Sequence, residues 1–326
     1  MNTFTIKKAE RKQAKLRIGV SGPSGSGKTY SALLLAKGLA SSWDKICLID
    51  SENGSGELYS DLGAYNVIPL TAPFSPERYI EAIKAAEDAG MEVIVVDSIS
   101  HEWEGKGGCL EINEILAATK FKGNNWSAWS ETTPRHQKYI TAIVTSSCHV
   151  ITTVRNKVET VMGDDKKVKK VGTKEITRDG FEYELTVNFN IDRETHRAVA
   201  SKDRTNLFEK RDPFVIEEVT GKELLEWNQG GKVDLNAIKS AIMNQVKNRL
   251  GIQMPAKEDL PAFYKSCIPK LTGLEMNEAN LADILAKLQT IMDKEWAQKT
   301  AWGEPETAEA ETIIVPDAEE EVADIL

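Results

Sequence analysis

Residues 22 to 29 read Gly-Pro-Ser-Gly-Ser-Gly-Lys-Thr, and no other stretch limits the fold of this chain as severely. An apolar run, Leu16-Arg17-Ile18-Gly19-Val20, comes before the octet, and an apolar helical pattern over 31–39 comes after it. Strand, glycine-rich loop, helix is the order in which G-x-x-x-x-G-K-S/T grips a triphosphate. Glycines let consecutive backbone N–H groups turn inward around phosphate oxygens, where a Cβ would clash. The helix then aims its positive end at the same charge. The candidate nucleotide-binding residues are therefore Gly22, Pro23, Ser24, Gly25, Ser26, Gly27, Lys28 and Thr29, with Tyr30 beside them. Lys28 is suited to the β- and γ-phosphates and the Thr29 hydroxyl to Mg²⁺, so ATP and Mg²⁺ are the implied cofactors. A chance Gly/Ser turn is the competing explanation, and the flanking pattern argues against it.

Two carboxylates complete the expected site. Val93-Ile94-Val95-Val96-Asp97-Ser98 is a β-branched apolar run ending in an acid. In an open α/β sheet, ligands sit beyond the carboxyl ends of the strands. That places Asp97 where it can hold metal-bound water, although a strand-end acid can also cap a helix. Ile46-Cys47-Leu48-Ile49-Asp50-Ser51-Glu52 is a second such strand. Phosphoryl transfer depends on positioning the attacking group, and Glu52 is the preferred water-orienting residue over Asp50. A turn carboxylate capping nearby N–H groups is the plainer alternative.

The pattern predicts strands at 16–21, 45–50, 92–97, 149–154, 181–191 and 197–201. Helices are predicted at 29–41, 76–89, 110–119 and 134–146. Short Val/Ile-rich strands alternating with helices imply an α/β fold with a mostly parallel sheet covered on both faces. The last two strands read as an antiparallel pair around 192–196. The core is expected over 15–228, after a basic arm at 1–14. Near Gly230-Gly231 the strand signal stops, and 234–297 reads as a small helical domain, with Leu281, Ile284, Leu285, Leu288, Ile291 and Met292 at helical spacing. Packing of those helices on the core is the alternative. Residues 298–326 lack the hydrophobicity to pack.

Composition narrows the class further. The chain has 326 residues and a formal net charge of −9. Nine acidic residues and no Lys or Arg lie between 300 and 326, and removing them leaves 41 acidic against 41 basic residues. The low pI is thus no argument against a polyanionic partner. No run of 18 apolar residues exists, so no membrane span is expected. The polar, basic start is unlike a secretory signal. Four scattered cysteines without a C-x-x-C pair, and four histidines without ligand spacing, read as packed thiols in a cytoplasmic protein lacking structural zinc.

These motifs resemble the RecA-type recombinases, most closely in style the small phage-encoded RecA-like ATPases of single-strand annealing and recombination. Leu48-Ile49-Asp50-Ser51-Glu52-Asn53 resembles the recombinase segment Phe-Ile-Asp-Ala-Glu-His, whose Glu is catalytic. The strand ending Asp97-Ser98 is similar to that family's metal-site strand. Arg197-Ala198-Val199-Ala200-Ser201-Lys202-Asp203-Arg204 resembles the strand ending Lys-x-Lys, whose cations reach a neighbouring subunit's ATP. The resemblance covers about 15–210. It implies a RecA-like P-loop core with metal residues Thr29 and Asp97. The implied catalytic residues are Lys28 and Glu52, with Lys202 and Arg204 acting from a second copy in a head-to-tail ring or filament. The family's Asn-Gln sensor is missing from Thr152-Thr153-Val154-Arg155-Asn156, where Arg155 stands as the substitute.

The resemblance also points to single-stranded DNA as partner, with a single-strand-binding protein or another recombination factor as a further one. Two long connections fall where RecA-like proteins present DNA loops. One, 105–134, carries Lys120, Lys122, Trp126 and Trp129, with Arg135 nearby; rings stack on bases and cations track phosphates. Core or interface packing of the tryptophans is the alternative. The other, 156–180, carries Lys157, Lys166, Lys167, Lys169, Lys170, Lys174 and Arg178, and a solvated hairpin is its alternative. Nucleotide would order this second loop through Arg155, and the acidic tail would compete for it. The expected activity is a DNA-stimulated ATPase in recombination, annealing or repair. Rivals are a helicase or helicase loader, a small-molecule kinase, for which no Arg-rich lid cluster is seen before residue 150, and a nucleotide-switched mediator with little turnover.

Overall fold

The computed structural model describes residues 13–162 and 168–231, together with Ile284, Lys287 and Thr290; of 158–162 and 168–173 only the backbone is described. Five strands supply the parallel centre: β1 (Arg17–Gly22), β2 (Ile46–Asp50), β4 (Val93–Asp97), β5 (His149–Met162) and β7 (Val187–Ile191). A short β3 (Asn66–Pro69) lies on one edge, and β8 (Ala198–Asp203) pairs antiparallel with β7 on the other. The order is β3-β2-β4-β5-β1-β7-β8. The expected α/β fold with a mostly parallel sheet is found.

Apolar runs form this sheet because both of its faces are covered. Alternate residues of one strand enter different cores. Ile46, Leu48, Val93 and Val95 join Ile18, Val20 and Leu35 under α1 (Lys28–Leu39) and α6 (Glu218–Gln229). Cys47, Ile49, Ile94 and Val96 join Ile83, Tyr139 and Val150 under α2 (Pro76–Asp88) and α5 (Asn125–Thr145). The helix that follows the glycine loop is fixed by backbone contact: a Cβ on Gly38 would lie 2.2 Å from the Glu218 carbonyl of α6.

Four expectations need correction. The strand predicted at 181–191 is a 3₁₀ turn at Phe181–Glu184 followed by β7, since Gly180 takes a left-handed φ of 98°. The helix predicted to begin at Pro134 begins at Asn125, capped by Asn124, whose Oδ1 accepts the Ser127 N–H at 3.1 Å. Pro134 sits inside it, where only the bond to the Ser130 carbonyl is forfeited. Most of the 105–134 connection, which follows α3 (Ser100–Glu104), is therefore helical, in α4 (Cys109–Thr119) and the start of α5. The 156–180 connection is largely a hairpin: β5 runs on past the sheet and pairs with β6 (Val168–Glu175) from Asn156↔Glu175 onward.

The chain divides into two units, Met1–Asp234 and Leu235–Leu326. Of the expected basic arm, only Gln13 and Ala14 are described, and both hydrogen-bond to α6, through Gln229 O and Asn228 Oδ1. In the second unit the three described residues are helical, with Ile284 buried. The rest of 234–297 and the tail 298–326 lie outside the described residues. Among the described residues, no helix is long and apolar enough to cross a membrane.

Candidate nucleotide site

The loop between β1 and α1 has the geometry its glycines allow. Gly25 and Gly27 take left-handed φ values of 80° and 90°, where a Cβ would be strained. Gly22 has no room for one: it would sit 2.5 Å from Ser26 Oγ and 2.9 Å from the Ile191 carbonyl. Ser24 and Gly25 are exposed at the crest, whereas Ser26 is buried and its Oγ has no partner. Lys28 Nζ donates to the Pro23 carbonyl at 2.9 Å, across the mouth of the loop. Burial lowers the Lys28 pKa first, Asp97 and Glu52 oppose that shift, and Arg155 adds to it. Tyr30 is half exposed and meets the Tyr59 ring edge-on at 5.8 Å.

β5 lies between β1 and β4, so Asp97 is two strands from the loop. The carboxylate still reaches it. Thr29 Oγ1 donates to Asp97 Oδ2 at 2.6 Å, and Thr153 Oγ1 of β5 donates to Oδ1. Asp97 is 2% exposed and both hydrogen-bond partners are neutral hydroxyls, so burial raises its pKa, with Glu52 and Asp50 adding to the shift. A hydroxyl and a buried carboxylate with no cation bonded to it suit Mg²⁺, which takes one or two protein oxygens and keeps its waters.

Glu52 follows β2 and faces the same space. Ser98 Oγ donates to its Oε1 at 3.0 Å. Arg155 grips both carboxylate oxygens, Nε to Oε1 at 2.9 Å and Nη2 to Oε2. Burial would raise the Glu52 pKa; Arg155, His101 and Ser98 outweigh it and leave the group lowered and ionised. Asp50 instead caps the following turn, accepting the Glu52 and Gly56 N–H groups at 2.7 and 3.0 Å. The structure thus brings Gly22–Thr29, Asp97, Glu52 and Arg155 together. Lys202 and Arg204 lie elsewhere, toward the end of the sheet away from the loop, donating to the Glu182 and Tyr183 carbonyls at 2.5 and 2.6 Å.

Sequence reasoning missed three residues here. Thr153 is hidden in a buried strand. Arg193 and His196 belong to the β7–β8 turn, which overhangs the loop because β7 runs parallel to β1. His196 Nδ1 lies 3.1 Å from the Ser26 carbonyl and so carries the proton, and Arg193 Nε would lie 3.9 Å from a Cβ on Gly25. Only the topology reveals them; the turn itself was legible, its occupants were not.

A loop turned by left-handed Gly25 and Gly27, a lysine across its mouth and a hydroxyl–carboxylate pair behind it meet the needs of a triphosphate with its metal, and few other ligands need all of them. The fold and this site define a P-loop ATPase-type protein. Residues 14–215 match the family model described as an AAA domain, and the chain belongs to that family. No curated protein matches it.

Proposed function

We propose that the chain is a Mg²⁺-dependent ATPase of RecA-like type that acts on single-stranded DNA in phage-type recombination, annealing or repair. Gly22 to Thr29 would hold the phosphates, with Thr29 and Asp97 holding Mg²⁺. When bound, the metal neutralises charge on the β- and γ-phosphate oxygens. Glu52 orients the attacking water, and Arg193 approaches the phosphates from the same chain. Lys202 and Arg204 serve a second copy's nucleotide in a head-to-tail assembly.

One observation carries the DNA part. β5 is a single strand that meets three stations in turn: Thr153 on Asp97, Arg155 on Glu52, and Lys157 in a groove of about 600 Å³. That groove joins the two connections expected to contact DNA. Trp126 and Trp129 come from the first, and Lys157, Arg178 and Lys174, the last paired with Asp179 at 2.9 Å, from the second; Glu104 and Glu175 also line the groove. The tryptophans divide. Trp129 stacks on Trp103 at 5.6 Å, whereas Trp126 is 87% exposed, a surface-exposed indole suited to stacking on an unpaired base. Lys120 is taken by Glu131 and Arg135 by Glu77, and neither lines the groove. Lys166 and Lys167 lie outside the described residues.

Arg155 links the stations. While it holds Glu52, the carboxylate's oxygens are occupied, and DNA drawing on the hairpin would release it for water. The same pairing favours a second reading, a nucleotide-switched mediator with low turnover. The test is binding of a fluorescent single strand across a salt series. W126A is expected to weaken affinity roughly 5- to 150-fold, the span of about 1–3 kcal/mol per stacked base, with the salt slope unchanged. Replacing Lys157 and Arg178 with Ala should flatten the slope by about 0.7 per lost phosphate contact. Wild-type affinity in both variants would contradict the groove as the DNA site.

A further inference from the structure

Behind the groove wall three helices place unlike side chains at one point. Glu102 of α3, Cys109 at the start of α4 and His136 of α5 are all buried, at 1%, 0% and 3% exposure. Cys109 Sγ donates to Glu102 Oε1 at 3.1 Å, and His136 Nδ1 lies 3.1 Å from both Glu102 oxygens. One ligand atom from each residue lies within 4.8 Å of the other two. We propose that Glu102, Cys109 and His136 form a binding site for a divalent transition metal of the zinc class, which ties α3, α4 and α5 together.

Three features support this. A carboxylate buried this deeply needs compensation, and among the described residues no Lys or Arg bonds to Glu102: its side-chain partners are the Cys109 thiol and the His136 ring, both of them metal-ligand types. The donor set is one oxygen, one sulfur and one nitrogen, which suits borderline Zn²⁺ and disfavours the hard ions Mg²⁺ and Ca²⁺. Ligand bonds of about 2.0–2.3 Å at tetrahedral angles place donor atoms roughly 3.3–3.8 Å apart, so the 3.1 Å contacts of Glu102 need only a small outward shift, and the remaining sulfur–nitrogen pair already lies within 4.8 Å. Two protons must leave the ligand atoms: the Cys109 thiol proton passes to solvent as the thiolate takes the metal, and His136, whose Nδ1–H faces Glu102, keeps its ring proton on Nε2 instead, so that Nδ1 is free to ligate.

A further polar group is left over on α5, one turn along. Tyr139, one turn beyond His136, is fully buried and its hydroxyl has no partner. Burial, first, raises its pKa, so the phenol is neutral. Three protein ligands leave a fourth position for water, which a buried phenol could hydrogen-bond. The consequence reaches the surface through Trp103, whose ring meets His136 edge-on at 5.4 Å and stacks on Trp129 in the groove. The site does not depend on what the groove binds.

The experiment is Co²⁺ titration of the full chain after chelation, without nucleotide, reading the thiolate-to-cobalt charge-transfer band. A metal at Thr29 and Asp97 has only oxygen ligands and gives no such band. One equivalent should produce it, Zn²⁺ should bleach it, and C109S should abolish it while C47S, C148S and C267S keep it. H136N should weaken Co²⁺ binding at least tenfold, and Zn²⁺ should raise the Tm of wild type but not of C109S. A wild-type chain that gives no band overturns the proposal whether or not the variants fold, as does a band that survives in C109S.

Discussion

At the scale of single residues the account turns on Glu52 and the arginine holding it. A carboxylate gripped at both oxygens by Arg155 is ionised, as a water-orienting group must be, but is not free to act. E52Q should lower turnover by about 10²- to 10⁴-fold, the usual worth of a positioned acid–base group, while nucleotide still binds; single-turnover kinetics separates the two. R155A should raise the DNA-free rate and remove stimulation by DNA. An equal fall with and without DNA would make the arginine a structural partner only. The site's local parts were legible: the glycine loop and the strand-end acids Asp97 and Glu52 each lie within a short run whose pattern fixes its place. The Thr153 and Arg193 contacts were not, because crossover connections bring them from 56 and 168 positions away. The Glu102–Cys109–His136 cluster was opposed by sequence reasoning, since no spacing rule joins residues on three separate helices.

At the scale of elements, strand type was read from apolar runs and their ends from turn residues, and that sufficed for the buried strands. It failed where tertiary contacts decide. Pro134 marks a helix start by propensity, yet α5 carries it internally, held on α4 by Thr132 and Asn113 and on α2 by the Arg135–Glu77 pair. The β5–β6 hairpin stood only as the alternative to a DNA-contacting loop, because charged residues interrupt its short apolar stretches and it pairs beyond the main sheet. At the start of β5, the buried His149 accepts the Leu16 N–H on Nδ1 at 3.1 Å and is therefore neutral. Burial, with Lys15 and Arg17 beside it, holds its pKa well below the ordinary value of 6.5. The unfolded chain takes up a proton there that the folded chain refuses. Stability from this group is complete above about pH 6.5 and falls steadily as pH drops below it. H149N keeps an acceptor near the Nδ1 position and should remove that part of the slope. Denaturant midpoints from pH 7.5 down to 5 measure it, and parallel curves for the two proteins would refute it.

At the scale of the whole molecule, one chain holds an incomplete version of the proposed site. Lys202 and Arg204 are bonded to the 181–184 turn on their own subunit, toward the end of the sheet away from the loop, so they can serve a nucleotide only on another copy. Mixing K28A with a K202A/R204A double variant, each inactive alone, should restore part of the activity, because some interfaces then pair an intact loop with intact cations. A mixture as inactive as its components would place those residues outside the chemistry. The most direct measurement is phosphate release from ATP by purified wild type and K28A, with Mg²⁺ and with chelator. The account predicts turnover for wild type with Mg²⁺ alone, and none for K28A folded as judged by circular dichroism. Hydrolysis that ignores chelator, or that K28A retains, would contradict it.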